Sequence, residues 1–444
     1  MIADRPISLL FVLLGAATAS WDVVGVDIAG RTLKLTTMAF LIGAVLRILD
    51  DRSVLRWSST PPRYRVAIAF AAALLMWMLI RSLFTPDILG SFGGFGSQLI
   101  PAAAPFVAVI WHHRHTGAIV RTFVYGMGAS SVLAAYEFVA RRSGWFWFTD
   151  YDGSIGDRPR SASFAFEAAY FAAPAVAALI IAIFWWRRGT VQAILIALLG
   201  VGIALADARI VAVQVIVAIV VLALLALVMR GAHRARILRS LAVTAVVGIA
   251  VVALVSAVAP NTVERVGDRL GSIFDPAEAT SNSPRLEQTR MVMKIIRTHP
   301  IIGVGPGQLG AAFKARGFVK KHIDALDEAR FVTNNIWTQT LIDGGIIALV
   351  LQISFLIAIG ARTRRDLSVE EAAVFAAWAS LVFAAGLTVS NFWDTEPWLL
   401  LACYVALTGY TNPTCRASDD ETPPSKTSTP TPGEPTLTPD HGTP

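Results

Sequence analysis

The chain has 444 residues, of which 55% are hydrophobic and 16% charged, and its mean hydropathy is +0.59. Charged residues make up roughly a quarter of an ordinary soluble domain, so this composition excludes a soluble globular protein and predicts an integral membrane protein. The formal net charge of +7 does not indicate a nucleic acid partner, because much of the Arg and Lys lies in short loops beside apolar segments.

Taken in chain order, about 12 apolar segments have a length suited to a membrane-spanning helix, which needs roughly 17 to 25 residues. These segments are residues 6–21, 33–49, 66–84, 98–112, 117–140, 165–186, 190–206, 210–229, 240–258, 336–360, 370–389 and 393–410. Irregular backbone is excluded from lipid, and the sequence lacks the alternating pattern of barrel strands. The predicted fold class is an all-α integral membrane protein with about 12 transmembrane helices and one large extracytoplasmic loop that contains short amphipathic helices.

Arginine clusters between the spans predict the orientation of the chain, because Lys and Arg are retained on the cytoplasmic side of a membrane. All of the clusters fall on one side when the N-terminus is cytoplasmic. They comprise Arg47, Arg52, Arg56, Arg63, Arg65, Arg114, Arg187, Arg188, Arg230, Arg234, Arg236, Arg239, Arg362, Arg364 and Arg365. An even number of spans then places the C-terminus in the cytoplasm as well. The segment up to Trp21 is predicted to be the first anchor, because no small-residue cleavage site of a signal peptide follows it.

The spans divide the chain into four predicted parts. Residues 1–259 carry the first nine helices, 260–335 form the large outer loop, and 336–410 carry the last three helices. Residues 411–444 are rich in Pro, Thr and Ser and have too little apolar surface to fold, so they are predicted to be a disordered cytoplasmic tail.

An amphipathic helix is predicted within the large loop. Ser283 is suited to the N-cap, Pro284 to the first helical position and Glu287 to the first turn. Apolar and basic residues then recur on two separate faces. The apolar positions are Leu286, Val292 or Met293, and Ile296, and the basic positions are Arg290, Lys294 and Arg297. Arg285 lies in the first turn, where it could hold a phosphate bidentately. A solvated basic face or a lipid-headgroup contact explains the same spacing equally well.

The run Gly305-Pro-Gly-Gln-Leu-Gly310 matches the dinucleotide-binding pattern G-x-G-x-x-G. A Rossmann site is nevertheless rejected, because no strand precedes the run, Pro306 stiffens it, and it lies outside the cell, away from nucleotides. Gly303 and Gly305 are instead predicted to form a tight turn after Pro300 that brings the backbone close to a ligand or to a neighbouring helix.

Further polar residues lie where the spans meet the outer surface. Arg209 is held in a short turn between two apolar segments. Its partner is either Asp207 or a lipid headgroup, which would be a structural role, or a lipid diphosphate at the membrane surface, which would be a functional one. Arg158 and Arg160 precede Glu167, which opens the sixth span.

The tenth predicted span begins with a polar stripe. Asn334 and Asn335 open it, and Gln339 and Asp343 follow one and two turns later. An acid at that depth normally faces a cavity or a partner, so the stripe indicates either a structural hydrogen bond or a substrate site.

Neither the histidines nor the cysteines predict a metal site. The cluster His112-His-Arg-His115 has no acidic or cysteine ligands nearby, and Cys403 and Cys415 are too few for a metal cluster or a disulfide framework.

Together these residues resemble the family of O-antigen ligases and polysaccharide polymerases, in topology along most of the chain and in local motifs from Arg285 to about Gly345. The motifs are Ser283-Pro-Arg285 before an amphipathic helix, His299-Pro-Ile-Ile-Gly-Val-Gly305, and Asn334-Asn-Ile-Trp337 followed by Asp343-Gly-Gly-Ile346. Arg209 resembles the family's arginine at the start of a span, although its neighbours differ, and Arg160 resembles an arginine before the sixth span of the polymerases.

The resemblance implies a glycosyltransferase in the bacterial cytoplasmic membrane that transfers a glycan from an undecaprenyl diphosphate donor to a sugar hydroxyl at the outer face, in O-antigen, capsule or exopolysaccharide biosynthesis. It implies no cofactor. Membrane lipids, a chain-length regulator and a flippase are its expected partners. Arg209 and Arg285 are expected to hold the diphosphate, with Arg160 as a weaker third.

The implied catalytic group comprises Arg285, Arg209, Asn334, Asn335 and Asp343. Residues expected to bind substrate are Arg160, Glu167, Arg290, Gly303, Gly305 and Gln339. The family's histidine is replaced by Asn334, which cannot act as a general base, so Asp343, Glu167 or His322 would have to assist. The missing histidine favours a polymerase or a divergent relative over a ligase that loads lipid A. A ligase that acts on lipid A core or on a protein stays open as an alternative within the family. A flippase or another transporter is the alternative from a different class.

Overall fold

The computed structural model describes residues 6–21, 24–28, 31–52, 61–146, 163, 165, 168–185, 189–206, 208, 210–229, 231, 233–242, 283–316, 333, 335–362, 367–384, 386 and 394–410. The chain divides into two units, Met1–Gly409 and Tyr410–Pro444. The predicted disorder of residues 411–444 falls outside the described residues.

The described part of the chain is largely helical. Its helices are α1 (Ile7–Ala17), α2 (Leu35–Asp50), α3 (Arg65–Leu83), α4 (Ile88–Trp111), α5 (Thr116–Ser143), α6 (Ala168–Trp185), α7 (Thr190–Ala206), α8 (Ile210–Val228), α9 (Ser283–Thr298), α10 (Leu309–Ala315), α11 (Ile336–Gly360), α12 (Val369–Phe383) and α13 (Thr395–Gly409). Single 3-10 turns at Pro62–Tyr64 and His113–His115 precede α3 and α5.

Every predicted span except 240–258 overlaps one of these helices, and most of that exception, residues 243–258, lies outside the described residues. Within the described chain, 6 helices are long and apolar enough to cross a membrane, and Ile7–Ala17 and Thr190–Ala206 are shorter apolar helices. The protein is therefore an α-helical membrane protein, and the predicted number of twelve crossings stays a prediction.

Two local differences from the sequence prediction stand out. An antiparallel hairpin of β1 (Gly25–Ile28) and β2 (Arg31–Lys34), in which Gly25 pairs with Lys34, begins between the first two predicted spans and ends inside the second. The fourth span was also predicted to begin too late, because helix α4 starts at Ile88, where the Asp87 carboxylate accepts a hydrogen bond from the Gly90 N–H at 2.9 Å. Glycines in the first turns of α4 lower its apparent hydropathy, which explains the missed residues.

The helices pack as neighbours along their lengths. Close pairs are α1 with α2, α3 with α11, α4 with α13, α6 with α7 and α12, and α5 with α7. Alanines of α6 and α12 and aliphatic side chains of α13 are fully buried between these helices. We refer to the ends of α3 and α11 that contain Leu83 and Asn335 as the outer end of the bundle, following the predicted orientation.

At the opposite, inner end, polar pairs join helices that are distant in sequence. The Ser8 hydroxyl lies 3.1 Å from His112 Nε2, and the Tyr64 hydroxyl lies 2.6 Å from Thr408 Oγ1. A buried polar group is costly unless it finds such a partner, so these contacts specify which helices pack together.

Candidate functional site

Helices α9 and α10 form a small apolar layer against α11. Val292 and Ile295 of α9 are buried against Leu309 and Phe313 of α10 and against Ile342 of α11. Burial of Val292 and packing of Ile296 against the same cluster confirm the predicted amphipathic helix. Of the two predicted alternatives Val292 and Met293, the structure selects Val292, because Met293 is 40% exposed. The basic residues Arg290, Lys294 and Arg297 are all exposed, which leaves a basic face directed away from the bundle.

The start of α9 lies where the sequence predicted it. The helix begins at Ser283, so Arg285 is in its first turn, although the side chains of residues 283–288 are outside the described part of the structure. Backbone N–H groups in a first helical turn have no intrahelical partner, and together with the helix dipole they attract anions. The position of Arg285 therefore suits an anion, and its contacts stay a prediction.

A glycine-rich segment, residues 299–308, joins α9 to α10 and is called the glycine loop below. It lies against a break in α11, where Gly345 has φ 68° and ψ −163°. The loop supplies hydrogen-bond partners for backbone groups around the break. Val304 N donates to Ile342 O at 2.7 Å, and Ile346 N donates to Pro300 O at 2.9 Å. Non-helical backbone at membrane depth is tolerated only where protein satisfies its polar groups, as the loop does here.

Glycine is required on both sides of this contact. Gly303 has φ 67°, and a Cβ there would lie 2.7 Å from Gly345 N and still closer to Ile342 O. A Cβ at Gly345 would collide with the backbone of Ile301 and Ile302. Of the two alternatives predicted for the loop glycines, a ligand or a neighbouring helix, the structure shows close approach to a neighbouring helix.

The second part of the glycine loop lies on the turn between α3 and α4. Ser91 Oγ donates to Pro306 O at 2.9 Å, and Gln308 Nε2 donates to Asp87 O at 3.1 Å. Gly94 of α4 is so close to Gly307 that a Cβ on Gly94 would lie 2.7 Å from the Gly307 Cα. Gly305 has φ 108°, and a Cβ there would collide with the Thr85 side chain. The loop is thus fixed to both α11 and the α3–α4 turn.

Helix α3 contributes two further contacts. The indole of Trp77 donates through Nε1 to Gly344 O at 2.8 Å, and Arg81 Nη2 donates to Gly303 O at 3.2 Å. One helix therefore binds both the broken helix and the loop that covers the break. Sequence reasoning missed these two residues because each is a single polar group in an apolar segment, with a partner more than 200 positions away.

Asn335 caps the outer end of α11. Its Oδ1 accepts hydrogen bonds from Trp337 N at 2.9 Å and Thr338 N at 3.2 Å, which satisfies N–H groups that a helix start leaves free. The Thr333 hydroxyl donates to Asn335 O at 2.7 Å, so the chain is fixed on both sides of position 334. The predicted start of the tenth span is confirmed.

The polar stripe of α11 forms a buried chain of hydrogen bonds. Asp343 is fully buried, and its Oδ2 accepts from Gln339 Nε2 at 2.9 Å and from Gln98 Nε2 of α4 at 2.7 Å. Gln339 Oε1 in turn accepts from Thr333 N at 2.7 Å. Asp343 Oδ1 and Gln98 Oε1 are buried and have no partner among the described residues. The stripe therefore connects a carboxylate to the backbone beside Asn334 and keeps spare acceptor capacity.

Five of the named candidates lie outside the described residues. They are Arg160, Glu167, Arg209, His322 and Asn334. Ser163, a described residue, is held on α5, because its backbone N donates to the buried Glu137 Oε2 at 2.9 Å. Glu137 also accepts from Arg141 Nε at 3.0 Å.

The histidine cluster at the inner end has a structural explanation. Both ring nitrogens of His112 are engaged, Nε2 with Ser8 Oγ at 3.1 Å and Nδ1 with Ala108 O at 2.8 Å. Within the described part of the chain, no group of three or more His, Cys, Asp or Glu residues could hold a metal ion.

Comparison with known proteins finds a family match that covers α9, the glycine loop and the break in α11. No curated protein matches the chain. Residues 193–353 match the family model described as O-antigen ligase. The matched segment contains α9, the glycine loop, α10 and the first half of α11 including its break. Residues 193–353 are thus similar to the O-antigen ligase family that the motifs of the chain resemble.

Proposed function

We propose that the protein is a membrane glycosyltransferase of the polysaccharide polymerase type, located in the bacterial cytoplasmic membrane. It would transfer a glycan from an undecaprenyl diphosphate donor to an acceptor sugar hydroxyl at the outer face. The observation that carries this proposal is the family match over residues 193–353, which includes Arg209, Arg285 and the Asn334–Asp343 stripe. The coarser conclusion, a membrane protein of ligase or polymerase type, follows from the family and the apolar helices.

The reaction exchanges one bond to the anomeric carbon of the donor sugar for another. The acceptor oxygen forms a bond to C1, the bond from C1 to the phosphate oxygen breaks, and the diphosphate leaves with the electron pair. The acceptor hydroxyl proton passes to a base. Negative charge grows on the leaving diphosphate, so fixed cations beside it lower the barrier. Arg209 and Arg285 take this role in the proposal, and Arg160 and Arg290 would contact the donor nearby.

The buried stripe supports a positioning role for Asp343. Its Oδ2 already accepts two amide N–H groups, and the chain through Gln339 ends on the N–H of Thr333, directly before Asn334. Asp343 also lies two helical turns inside the N-cap of α11. We therefore assign Asp343 and Gln339 to orientation of the Asn334–Asn335 end, and leave Glu167 and His322 as candidates for the base.

Glycan analysis in a deletion strain tests the proposal. Loss of a polymerase should leave single lipid-linked repeat units at the outer face of the membrane. Restoring the wild-type chain should restore long polysaccharide, whereas Arg285→Ala should reach the membrane in normal amounts and produce none. Removing one preorganised donor of this kind commonly costs about 100- to 1,000-fold in rate. Normal chain lengths in the Arg285→Ala strain would contradict the assigned role.

One structural observation favours a second candidate, a flippase for lipid-linked sugars. Helix α11 is broken at Gly345 beside the buried Asp343, and broken helices with buried acids are common in transporters. Lipid-linked units that accumulate at the inner face in the deletion strain would favour this candidate. A ligase that uses lipid A core or a protein as acceptor would instead leave finished long chains on the lipid carrier.

A further inference from the structure

Arg81 is a cation with unused hydrogen-bond donors at the outer end of the bundle. It lies in the last turn of α3 and is partly buried. Its Nη2 donates to Gly303 O at 3.2 Å, whereas its Nε is buried without a hydrogen-bond partner among the described residues. A guanidinium has five N–H donors, so one neutral carbonyl leaves most of them unused.

Three other described arginines near helix ends have partners that suit their charge, whereas Arg65, at the inner end of α3, shares with Arg81 a buried Nε that has no described partner. Arg141 pairs with Glu137 at 3.0 Å, Arg47 pairs with Asp51 at 3.5 Å, and Arg142 lies 4.3 Å from the centroid of the Phe138 ring. No such ion pair joins Arg81 to any carboxylate that the structure describes. The nearest acid in sequence is Asp87, and its Oδ1 accepts the Gly90 N–H that starts α4.

The surroundings of Arg81 favour an anion. A charge at the end of a membrane helix is costly unless a counter-charge meets it. The carbonyl that Arg81 contacts belongs to the glycine loop, and the loop follows directly from α9, whose exposed face is basic. The planar fork of an arginine matches the oxygens of a phosphate, which can accept two parallel N–H bonds.

We propose that Arg81 binds a phosphate group at the outer membrane surface and thereby adds a guanidinium to those that hold the donor diphosphate. This assignment rests on the proposed function for its ligand. The same phosphate chemistry is offered by a phospholipid headgroup, so the two sources are separated by experiment. Through Gly303, a phosphate bound to Arg81 would be linked to the backbone contact at the break of α11.

The experiment measures lipid binding to the full-length chain in detergent by native mass spectrometry. The probes are undecaprenyl diphosphate, phosphatidylglycerol and undecaprenol, which lacks phosphate. Arg81→Gln removes the charge and keeps an N–H donor, Arg81→Lys keeps the charge without the planar fork, and Arg142→Gln is the matched loss of an exposed arginine at the outer end of α5.

The wild type should bind undecaprenyl diphosphate more tightly than undecaprenol. Arg81→Gln should weaken diphosphate binding about 10- to 100-fold, the loss that one charge-assisted hydrogen-bonded contact implies. Arg81→Lys should fall between, and Arg142→Gln should match the wild type. A loss confined to undecaprenyl diphosphate identifies the donor as the source, and an equal loss for phosphatidylglycerol identifies headgroup phosphate.

Unchanged binding of both phosphate lipids by Arg81→Gln would overturn the inference. So would an equal loss of thermal stability in the Gln and Lys variants with unchanged lipid binding, because Arg81 would then only tether Gly303. If Arg81→Gln does not fold, the lipid binding and the thermal stability of Arg81→Lys decide instead. Binding is measured without turnover, so a wild-type protein that binds the diphosphate through Arg81 but transfers no glycan would refute the proposed function alone.

Discussion

The two halves of α11 are held in different ways. The outer half, Ile336–Asp343, begins at the Asn335 cap and ends at a break whose backbone groups are bound by the glycine loop and Trp77. The inner half is an apolar helix apart from Gln352 and Ser354, and side chains such as Val350 and Ile357 are more than half exposed. The outer half depends on specific backbone partners and can therefore hold a site in fixed geometry, whereas the inner half depends on apolar contact and serves as an anchor.

The sharpest test of this comparison adds one methyl group at the break that ends the outer half and one in the inner half. Gly345→Ala places a Cβ against the Ile301 backbone at a position with φ 68° and should lower the free energy of unfolding by about 2 to 5 kcal/mol. Gly360→Ala meets nothing within 4 Å and should be neutral or stabilise by up to about 1 kcal/mol. Thermal unfolding in detergent measures both. Equal stability of the two variants would remove the distinction between the halves.

The next test removes a buried polar group from each half. Asp343→Ala leaves the amides of Gln339 and Gln98 without their acceptor and should cost about 2 to 4 kcal/mol, whereas Asp343→Asn keeps one acceptor oxygen and should cost less. Gln352 is fully buried, and neither of its side-chain polar atoms has a partner in the described part of the chain. Gln352→Leu should therefore be neutral or stabilising. A larger loss for Gln352→Leu than for Asp343→Ala would contradict the comparison.

A smaller effect is expected at the contact between α3 and the break. Trp77→Phe keeps an aromatic ring but removes the N–H that binds Gly344 O, at an expected cost of about 1 to 2 kcal/mol. The control is Met76→Leu, a swap of similar volume at a 56% exposed position on the same helix. Chemical unfolding followed by circular dichroism compares the two. If Trp77→Phe unfolds like its control, the break does not need this donor.

The smallest effect is expected at the cap. Asn335→Ala removes the acceptor for Trp337 N and Thr338 N and should cost about 1 kcal/mol, whereas Asn335→Ser can still cap the helix. Hydrogen exchange of the first turn of α11 should be faster in the Ala variant than in the Ser variant. Identical exchange in the two variants would show that the cap does not hold this turn.

Sequence periodicity and composition were sufficient to predict the local features of the fold. The length of apolar runs predicted the helices, Ser283-Pro284 predicted the start of α9, and Asn335 predicted the start of α11. These features depend on neighbouring residues, so a linear sequence contains them. The same reasoning placed the start of α4 too late, because glycines that permit close packing also lower the hydropathy of its first turns.

The contacts that assemble the site were not predictable in this way. Asp343 and Gln339 were identified as one stripe, since both lie on one helix face, but Gln98 comes from α4, 245 positions away in sequence. The partners of Gly303 were likewise left open between a ligand and a helix, because only three-dimensional packing determines what lies within van der Waals distance. Arg81 has no local motif, and its unused donors become visible only once its neighbours are known.

The central claim is that this chain transfers glycan from a lipid diphosphate, and reconstitution tests it most directly. Purified wild-type and Arg285→Ala proteins are placed in liposomes with the lipid-linked glycan isolated from the deletion strain, and the products are separated by mass. The wild type should yield longer glycans together with free undecaprenyl diphosphate, and Arg285→Ala should yield neither. Donor that crosses the bilayer with its chemical structure unchanged, and no released undecaprenyl diphosphate, would contradict the account.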